Sequence, residues 1–443
     1  MLETLRIYGH EKLAPTGEYP ELARRHASWY AALARRAESE WISPRQLDWI
    51  ARLDREQPNL RAAMRFCLTD GGNRDEKTTI GLQIAVALLP YGVSRGMLDE
   101  GRYWLVRFLA RSHGQPIVLR AEGLYAVTAV ASLQGDLAAG SAAVAKGRSL
   151  TAQAPDPTAR GWIAYADGLL ALCSGDPSRA RESLEAALEA FQAVQERTAQ
   201  VGTLHLLGLT YGHLGDATKE LACYDRVLEL TESHGEVVYR AYTLWATAVA
   251  LWRQGHRDRA VPLLEEGLHL TRQIHDPLTV TISLETLAWI ASAEGNAVRA
   301  ATLMGAADGR GQSMGSASIF YPHLRGYHEE CERASRRALG TRAFQTARAK
   351  GRALDLDAAV SYALGEQPQP VTSAPDSGAL TRRERQIAKL VAQGLTNKAI
   401  AARLVISPRT VDGHVEHILT KLGFTSRAQI AAWVGAEEGA ERP

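Results

Sequence analysis

The sequence predicts an all-α protein: a long solenoid of helical repeats followed by a small C-terminal domain of four helices. Three observations carry this. Glycines recur at one fixed spacing through the middle of the chain, each followed by a polar residue. The segment from Leu380 to Val434 carries helix caps and turn residues at the spacing of two short helices joined by a tight turn. Hydrophobic content of 46% with 23% charged residues suits a soluble chain with ample core.

In chain order, residues 1–76 read as a helical segment. The N-terminus, MLETLRIYGHEKL, is charged and amphipathic and lacks the apolar core of a signal peptide. A helix is expected from Pro20 to Ala37, with proline at a first helical position. Leu22, His26, Trp29, Tyr30 and Leu33 recur along it every three to four residues. The stretch 41–68 reads as two further helices, broken near Pro58.

Residues 77–310 form the repeat array. Gly135, Gly175, Gly215, Gly255 and Gly295 stand one constant period apart, and Gly96 precedes the series by one position less. Nine residues after each stands a larger apolar side chain: Leu105, Val144, Leu184, Tyr224, Leu264 and Met304. Each unit is therefore helix, Gly-polar turn, helix. Glycine supplies the left-handed turn conformation, and the Asp or Asn beside it can cap the next helix. Such a pair cannot bury both faces alone, so neighbours stack. The aromatics Trp162, Tyr165, Tyr211, Tyr242, Trp245, Trp252 and Trp289 lie at helical spacings, as core or as contacts for a ligand.

Residues 311–364 read as a helical cap. The Gly- and Ser-rich stretch 309–319 is expected to be a loop, 326–339 and 342–364 a helical pair, with Asp355-Leu356-Asp357 starting the last helix. Residues 365–379, with three prolines, read as a linker that leaves the C-terminal domain free to move. The tail after Val434 reads as disordered.

Residues 380–434 are the chemically informative stretch. Thr381 and Glu384 make a capping box, and the first helix buries Ile387, Leu390 and Val391 and stops at Gly394. Thr396 caps a second helix with Ile400, Ala401 and Leu404 inward. Ala399, Ala401 and Ala402 are small enough for a close helix crossing. Ser407 caps a third helix that begins at Pro408. Val411, Val415, Ile418 and Leu422 face the core there, leaving Arg409, Asp412, Gly413, Glu416 and Thr420 outward. A fourth helix follows Ser426. The segment holds nine Lys/Arg against three acids, a net +6, while the whole chain is +2. A basic helix-turn-helix on a mildly acidic body suits attraction to the phosphates of double-stranded DNA.

The phrases LTRRE (380–384), GLTNKAIAARL (394–404), SPRTVDGHV (407–415) and KLGFTSRAQ (421–429) resemble the LuxR/FixJ-type helix-turn-helix domain of bacterial transcription regulators. The resemblance implies a dimer on a two-fold DNA site, with the fourth helix at the dimer contact. It implies phosphate contacts from Thr396, Lys398, Arg409, Thr410 and Lys421. The recognition helix (408–421) would turn Arg409, Asp412, Gly413 and Glu416 to the bases. Many relatives carry Lys where this chain has Asp412 and Glu416. Two readings stand: the acids accept hydrogen bonds from cytosine, or they are merely solvated and Arg409 reads the sequence. His414 and His417 lie on the same helix, where packing or phosphate contact competes with metal ligation.

The array resembles tetratricopeptide repeats, with Ala180, Ala260 and Ala300 as the small residue after the turn. Its period is longer than that family's usual 34, so each unit's helices should be about a turn longer. The phrases LETLRIYG (2–9), RRHASWY (24–30) and LDREQPNLRAAM (53–64) are similar to the segment following the nucleotide-binding module of large LuxR-type regulators. No G-x-x-x-x-G-K-[ST] phosphate loop occurs, so the chain reads as such a regulator without its ATPase: a short paralogue, a misplaced start or a fragment.

The expected function is a cytoplasmic DNA-binding regulator whose repeats sense a protein or small-molecule effector. The alternative is a repeat scaffold, or a partner subunit of a full-length regulator. No cofactor, metal site or membrane span is expected. Cys67, Cys173, Cys223 and Cys331 form no C-x-x-C pair. No H-E-x-x-H, G-x-S-x-G or dinucleotide loop suggests an enzyme.

Overall fold

The computed structural model describes residues 16–154, 156–314, 321–366, 380 and 382–404, together with 411, 415, 418, 419, 427, 429, 430, 433 and 434. Among these there are helices and turns and no strand. The chain divides into two compact units, Met1–Glu366 and Gln367–Pro443. Among the described residues no helix is long and apolar enough to cross a membrane.

The first unit opens with α1 (Tyr19–Ser39), which has Pro20 in its first turn, and α2 (Gln46–Leu68). In α1, Tyr30 and Leu33 are buried, but Leu22 and Trp29 are 40% and 50% exposed. The break expected at Pro58 does not occur: α2 runs through it as one helix. An internal proline costs about 3 kcal/mol. The apolar face of α2 continues on both sides of it, through Trp49, Ile50 and Leu53 and then Leu60, Met64 and Cys67, all buried. Burial of each large side chain contributes about 1.5–3 kcal/mol, so the helix persists.

Next come α3 (Arg74–Ala87), α4 (Leu89–Ser94) and α5 (Leu98–Leu109). Five regular pairs follow. They are α6 (Ile117–Leu133) with α7 (Leu137–Gln153), α8 (Pro157–Cys173) with α9 (Pro177–Ala193), and α10 (Arg197–Leu214) with α11 (Ala217–Ser233). The last two are α12 (Val238–Arg253) with α13 (Arg257–Ile274) and α14 (Pro277–Ala293) with α15 (Ala297–Met314). Helices running from 16 residues in α12 to 18 residues in α10 account for the long period.

The turn chemistry matches its sequence signature. Gly135, Gly175, Gly215, Gly255 and Gly295 all have φ between +76° and +86°. The next residue's N–H then reaches back five residues, as from Asp176 to Ala171 O at 2.9 Å and Asn296 to Ala291 O at 2.9 Å, closing the preceding helix. The side chains of Asp136, Asp176, Asp216 and Asn296 cap the following helix. One residue thus ends one helix and starts the next. His256, at the same position, makes no such cap.

The apolar residues nine beyond each glycine are all buried. Ala180, Ala260 and Ala300 are fully buried, but the equivalent position in α11 holds Glu220, 4% exposed. Glu220 pairs with Arg253 at 3.6 Å, and burial pushes its carboxyl up to about 7. The first helix of each pair is buried nearly all round; every residue from Leu278 to Ala291 is buried. The second helices bury one stripe, as expected of an outer layer.

The stretch expected as a loop from 309 is helical as far as Met314, the end of α15; residues 315–320 lie outside those described. Gly309 there serves packing, as Gly305 does one turn earlier. α16 (Arg325–Arg352) crosses α15 so closely that a Cβ on Gly305 would stand 2.0 Å from Arg348 O. One on Gly309 would stand 3.0 Å from Arg352 O, and one on Gly351 only 1.8 Å from Thr302 O. α16 turns at Gly340 (φ 74°), and Asp355 caps α17 (Leu356–Ala363) through Ala358 N. The cap is therefore two straight segments and a short helix.

The N-terminal helices also meet the middle of the array. Gln46 donates to the Glu236 carboxylate at 2.7 Å and accepts from Val237 N at 2.8 Å. Arg95 donates to Ile274 O at 2.6 Å. These ties join residues far apart in sequence and close the solenoid on itself.

Candidate functional site

The second unit is described in part. α18 (Arg382–Ala392) and α19 (Asn397–Leu404) are its first two helices. Gly394 has φ +77°, and Leu395 N–H reaches back to Leu390 O at 3.3 Å. Thr396 Oγ1 accepts from Ala399 N at 3.3 Å, the expected cap. Ile387, Ile400, Val411, Ile418 and Ile430 are fully buried together with Leu390, Val391, Val415 and Val434. Of the stripe expected on the third helix, Val411, Val415 and Ile418 are in this core. Ala401 is buried and Ala399 is exposed, in the first turn of α19.

Thr396 is exposed at the start of α19, and Lys398 lies within that helix. Arg409, Thr410, Asp412, Gly413, Glu416 and Lys421 lie outside the described residues, as do Thr381, Ser407, Pro408, His414, His417, Leu422, Ser426 and the linker 367–379. At the level of sequence Arg427 counts only as positive charge. It is half-buried, and its guanidinium donates to Asn397 Oδ1 at 2.5 Å and to Leu395 O. It ties the helical residues around 427 to the entry of α19.

The first unit holds a second candidate site, a cavity of about 730 Å³ within the closed solenoid. Its walls come from α1 and the first helices of successive pairs. Tyr125 stacks on Tyr165 at 4.5 Å and lies 5.1 Å from Trp162, ring centre to ring centre. Tyr239 and Tyr242 meet edge to face at 6.0 Å, and Trp245 completes the aromatic wall. His205, also lining, contacts Thr243 Oγ1 at 3.2 Å, and burial holds its imidazole down to about 4, so it is neutral. Gly202 lets this wall close: a Cβ there would stand 2.2 Å from the Tyr165 hydroxyl and 3.0 Å from that of Tyr239.

Of the aromatics singled out in the sequence, Trp162, Tyr165, Tyr242 and Trp245 line the cavity. Trp252 and Trp289 pack on each other and on Tyr327 away from it, and Tyr211 hydrogen-bonds Glu185. Sequence reading missed Tyr125, Tyr239, Gly202 and the acidic residues Glu38, Glu122 and Glu196. The repeat period held a signal for several of them. Tyr125, Tyr165, His205 and Trp245 occupy one position of four successive repeats, and all four line the cavity. So do Glu122, Trp162, Gly202 and Tyr242, one turn earlier on the same helices. Glu38 and Glu122 are half-buried, and burial pushes both carboxyls up to about 7.

Residues 378–434 match the GerE family model, described as bacterial regulatory proteins, luxR family. A Mycobacterium tuberculosis H37Rv protein with the provisional name of HTH-type transcriptional regulator is 30% identical over 265 residues, 59% of this chain and 29% of that protein. This chain therefore spans under a third of that relative's length. The nitrate/nitrite response regulator protein NarL of Escherichia coli K12 is 44% identical over 96 residues, 19% of this chain and 44% of NarL. Among solved structures, NprR in complex with its cognate peptide NprX has a TM-score of 0.47 at 15% identity, covering 72% of this chain and 89% of that one. The basic, capped, four-helix pattern, the core that forms beneath it and the family match agree: the C-terminal segment of this chain is a helix-turn-helix domain of the luxR family of bacterial regulatory proteins.

Proposed function

We propose that this chain is a DNA-binding transcriptional regulator. The observation that carries the reading is the luxR-family domain at 378–434. The third helix, 408–421, enters the major groove. Thr396, Lys398, Arg409, Thr410 and Lys421 hold phosphates, and Arg409 with Asp412, Gly413 and Glu416 faces the bases. The domain works as a homodimer through its fourth helix, on a two-fold site. The repeats of 77–310 sense an effector, and 311–364 cap them. The aromatic cavity in the closed solenoid supports a small molecule in that role.

Selection from a random DNA pool, with the full chain and with residues 375–443 in parallel, tests this. A shared enriched palindrome is the expected result. Enrichment by the short piece alone would mean the repeats restrain the domain until an effector arrives. No enrichment by either, with both folded, would overturn the reading in favour of a repeat scaffold or partner subunit.

A further inference from the structure

The cavity is a suitable size for a small ligand, since such sites span roughly 300–1,000 Å³. Its chemistry is narrower than its size. The rings of Tyr125, Trp162, Tyr165, Tyr239, Tyr242 and Trp245 form the wall. An aromatic face carries partial negative charge and attracts cations. The charged residues lining the cavity are Arg35, Arg36, Glu38, Glu122, Glu196 and Arg197. These are three of each sign, but they are not equivalently placed. Arg35, Arg36 and Arg197 are exposed, and Arg36 is engaged by Glu40 at 3.0 Å. Glu38 and Glu122 are half-buried, while Glu196 is exposed.

The two half-buried carboxylates lack a close counter-charge. Glu122 is acted on by Glu38 and Glu196 as like charges, and by Arg35 as the one opposite charge. Glu38 has the same neighbours, Arg35 and Glu196. Neither is in a salt bridge within 4.0 Å among the described residues, where the nearby acid that is paired is Glu40. Trp41 lines the same cavity, is 2% exposed, and its indole N–H has no partner among the described residues, so it can donate to an acceptor on the body of a ligand but not to a cationic head.

We propose that this cavity binds an organic cation, an amine or quaternary ammonium group carried on an apolar or aromatic body, with the charge between Glu38 and Glu122 and the body against Trp162, Tyr165 and Tyr242. The proposal rests on the effector-sensing reading of the repeats and names the chemistry of that effector. An anionic ligand would meet the carboxylates. A neutral ligand would leave the ionised carboxylates of Glu38 and Glu122 without a counter-charge. A cation answers both the ring faces and the unpaired carboxylates. Because it favours their ionised forms, protons are released as it binds.

The test uses the full chain and three probes of one shape: phenethylamine, 2-phenylethanol and phenylacetate. Binding is read by tryptophan fluorescence and by calorimetry in two buffers of different ionisation enthalpy. The amine should bind about tenfold or more tightly than either other probe and release protons at pH 7. E38Q/E122Q should remove that preference and the proton release while the thermal midpoint stays near that of the parent. Trp162→Leu should weaken all three probes. Equal binding of amine and alcohol, or preference for phenylacetate, would overturn the cation assignment. Absence of binding by every probe to millimolar concentration would overturn the site. None of these readings involves DNA, so failure of the DNA selection with amine binding intact would sink the regulator reading and leave the cavity's chemistry standing.

Discussion

The crossing of α15 and α16 makes the sharpest stability prediction, because one substitution should have opposite signs at two glycines. In Gly351→Ala the new Cβ would stand 1.8 Å from Thr302 O and 2.8 Å from Ala306 N. Both are backbone atoms of a buried helix, so neither can rotate away. Restoring a bare 3.0 Å contact moves the helices apart by about 1.2 Å. A gap of about 0.5–1 Å already forfeits a quarter to a half of each contact's dispersion energy. Phe344, Ala347, Cys331 and Met304 are buried along that crossing and would all lose contact. We expect a loss of about 3 kcal/mol, the upper end of the usual overpacking cost. Gly101 lies inside α5 with nothing within 4 Å of its Cβ position. Gly101→Ala should therefore stabilise, by about 0.5–1 kcal/mol, through helix propensity alone. Urea unfolding followed by far-ultraviolet circular dichroism reads both as shifts in midpoint. A Gly351→Ala midpoint within about 0.5 kcal/mol of the parent would refute the close-crossing argument.

Further outcomes follow from single groups. The stacked rings of His213 and His323 lie 4.6 Å apart beside Arg253. Burial, then His213 and Arg253, hold His323 down to about 3. A depressed histidine is neutral when folded and protonates when unfolded below its ordinary pKa. Stability should therefore be intact above about pH 6.5 and decline as pH falls toward 3. His323→Gln should remove about one proton from that slope, and an unchanged slope in acid titrations of unfolding would count against it. Arg427→Leu should destabilise the C-terminal unit by about 2 kcal/mol by freeing Leu395 O and Asn397; the check is its hydrogen-exchange protection across 397–404, and wild-type protection there would defeat the assignment. Lys398→Ala and Arg409→Ala should each weaken DNA binding and lower the slope of log affinity against log salt by about 0.9. Anisotropy titrations across a salt series measure this, and an unaltered slope in both variants would remove them from the phosphate set.

The repeats were legible in sequence because a left-handed turn with a cap beside it leaves little choice of residue. Gly175-Asp176 announces both a helix end and a helix start. The same logic misled at 309–314, where glycine signals a helix crossing rather than a turn. The two uses share a residue type but differ in cause: one needs an unusual φ, the other needs a missing Cβ. Nothing local in the sequence separates them, since the partner, Arg348 or Arg352, lies on another helix far along the chain. Pro58 failed as a breaker for a related reason. Local propensity was correctly read, but the apolar face on both sides of it is decided by helices that meet α2 only in the folded chain.

The cavity was the least legible feature, and the reason lies in how a solenoid closes. Periodicity places Trp162, Tyr165, Tyr242 and Trp245 on inner helices, but every inner helix here is buried nearly all round. A recurring aromatic position, such as that of Tyr125, Tyr165 and Trp245, then reads equally as core or as lining. What divides them is the return of the N-terminal helices, fixed by Gln46 on Glu236 and Arg95 on Ile274. That return brings α1, with Glu38, against a wall whose aromatic residues come from helices much further along the chain. Glu38, in the stretch AESEW, thus acquires Glu122 and Glu196 as neighbours, with Arg35 the one cation acting on them. Long-range closure converts two unremarked glutamates into the site's charge, so Gln46→Ala should loosen the cavity before it disturbs the repeats themselves. Amine binding should fall while the helical content holds and the unfolding midpoint drops only by the loss of the Gln46 partners, Glu236 and the Val237 N–H; retention of full amine affinity would separate closure from the site.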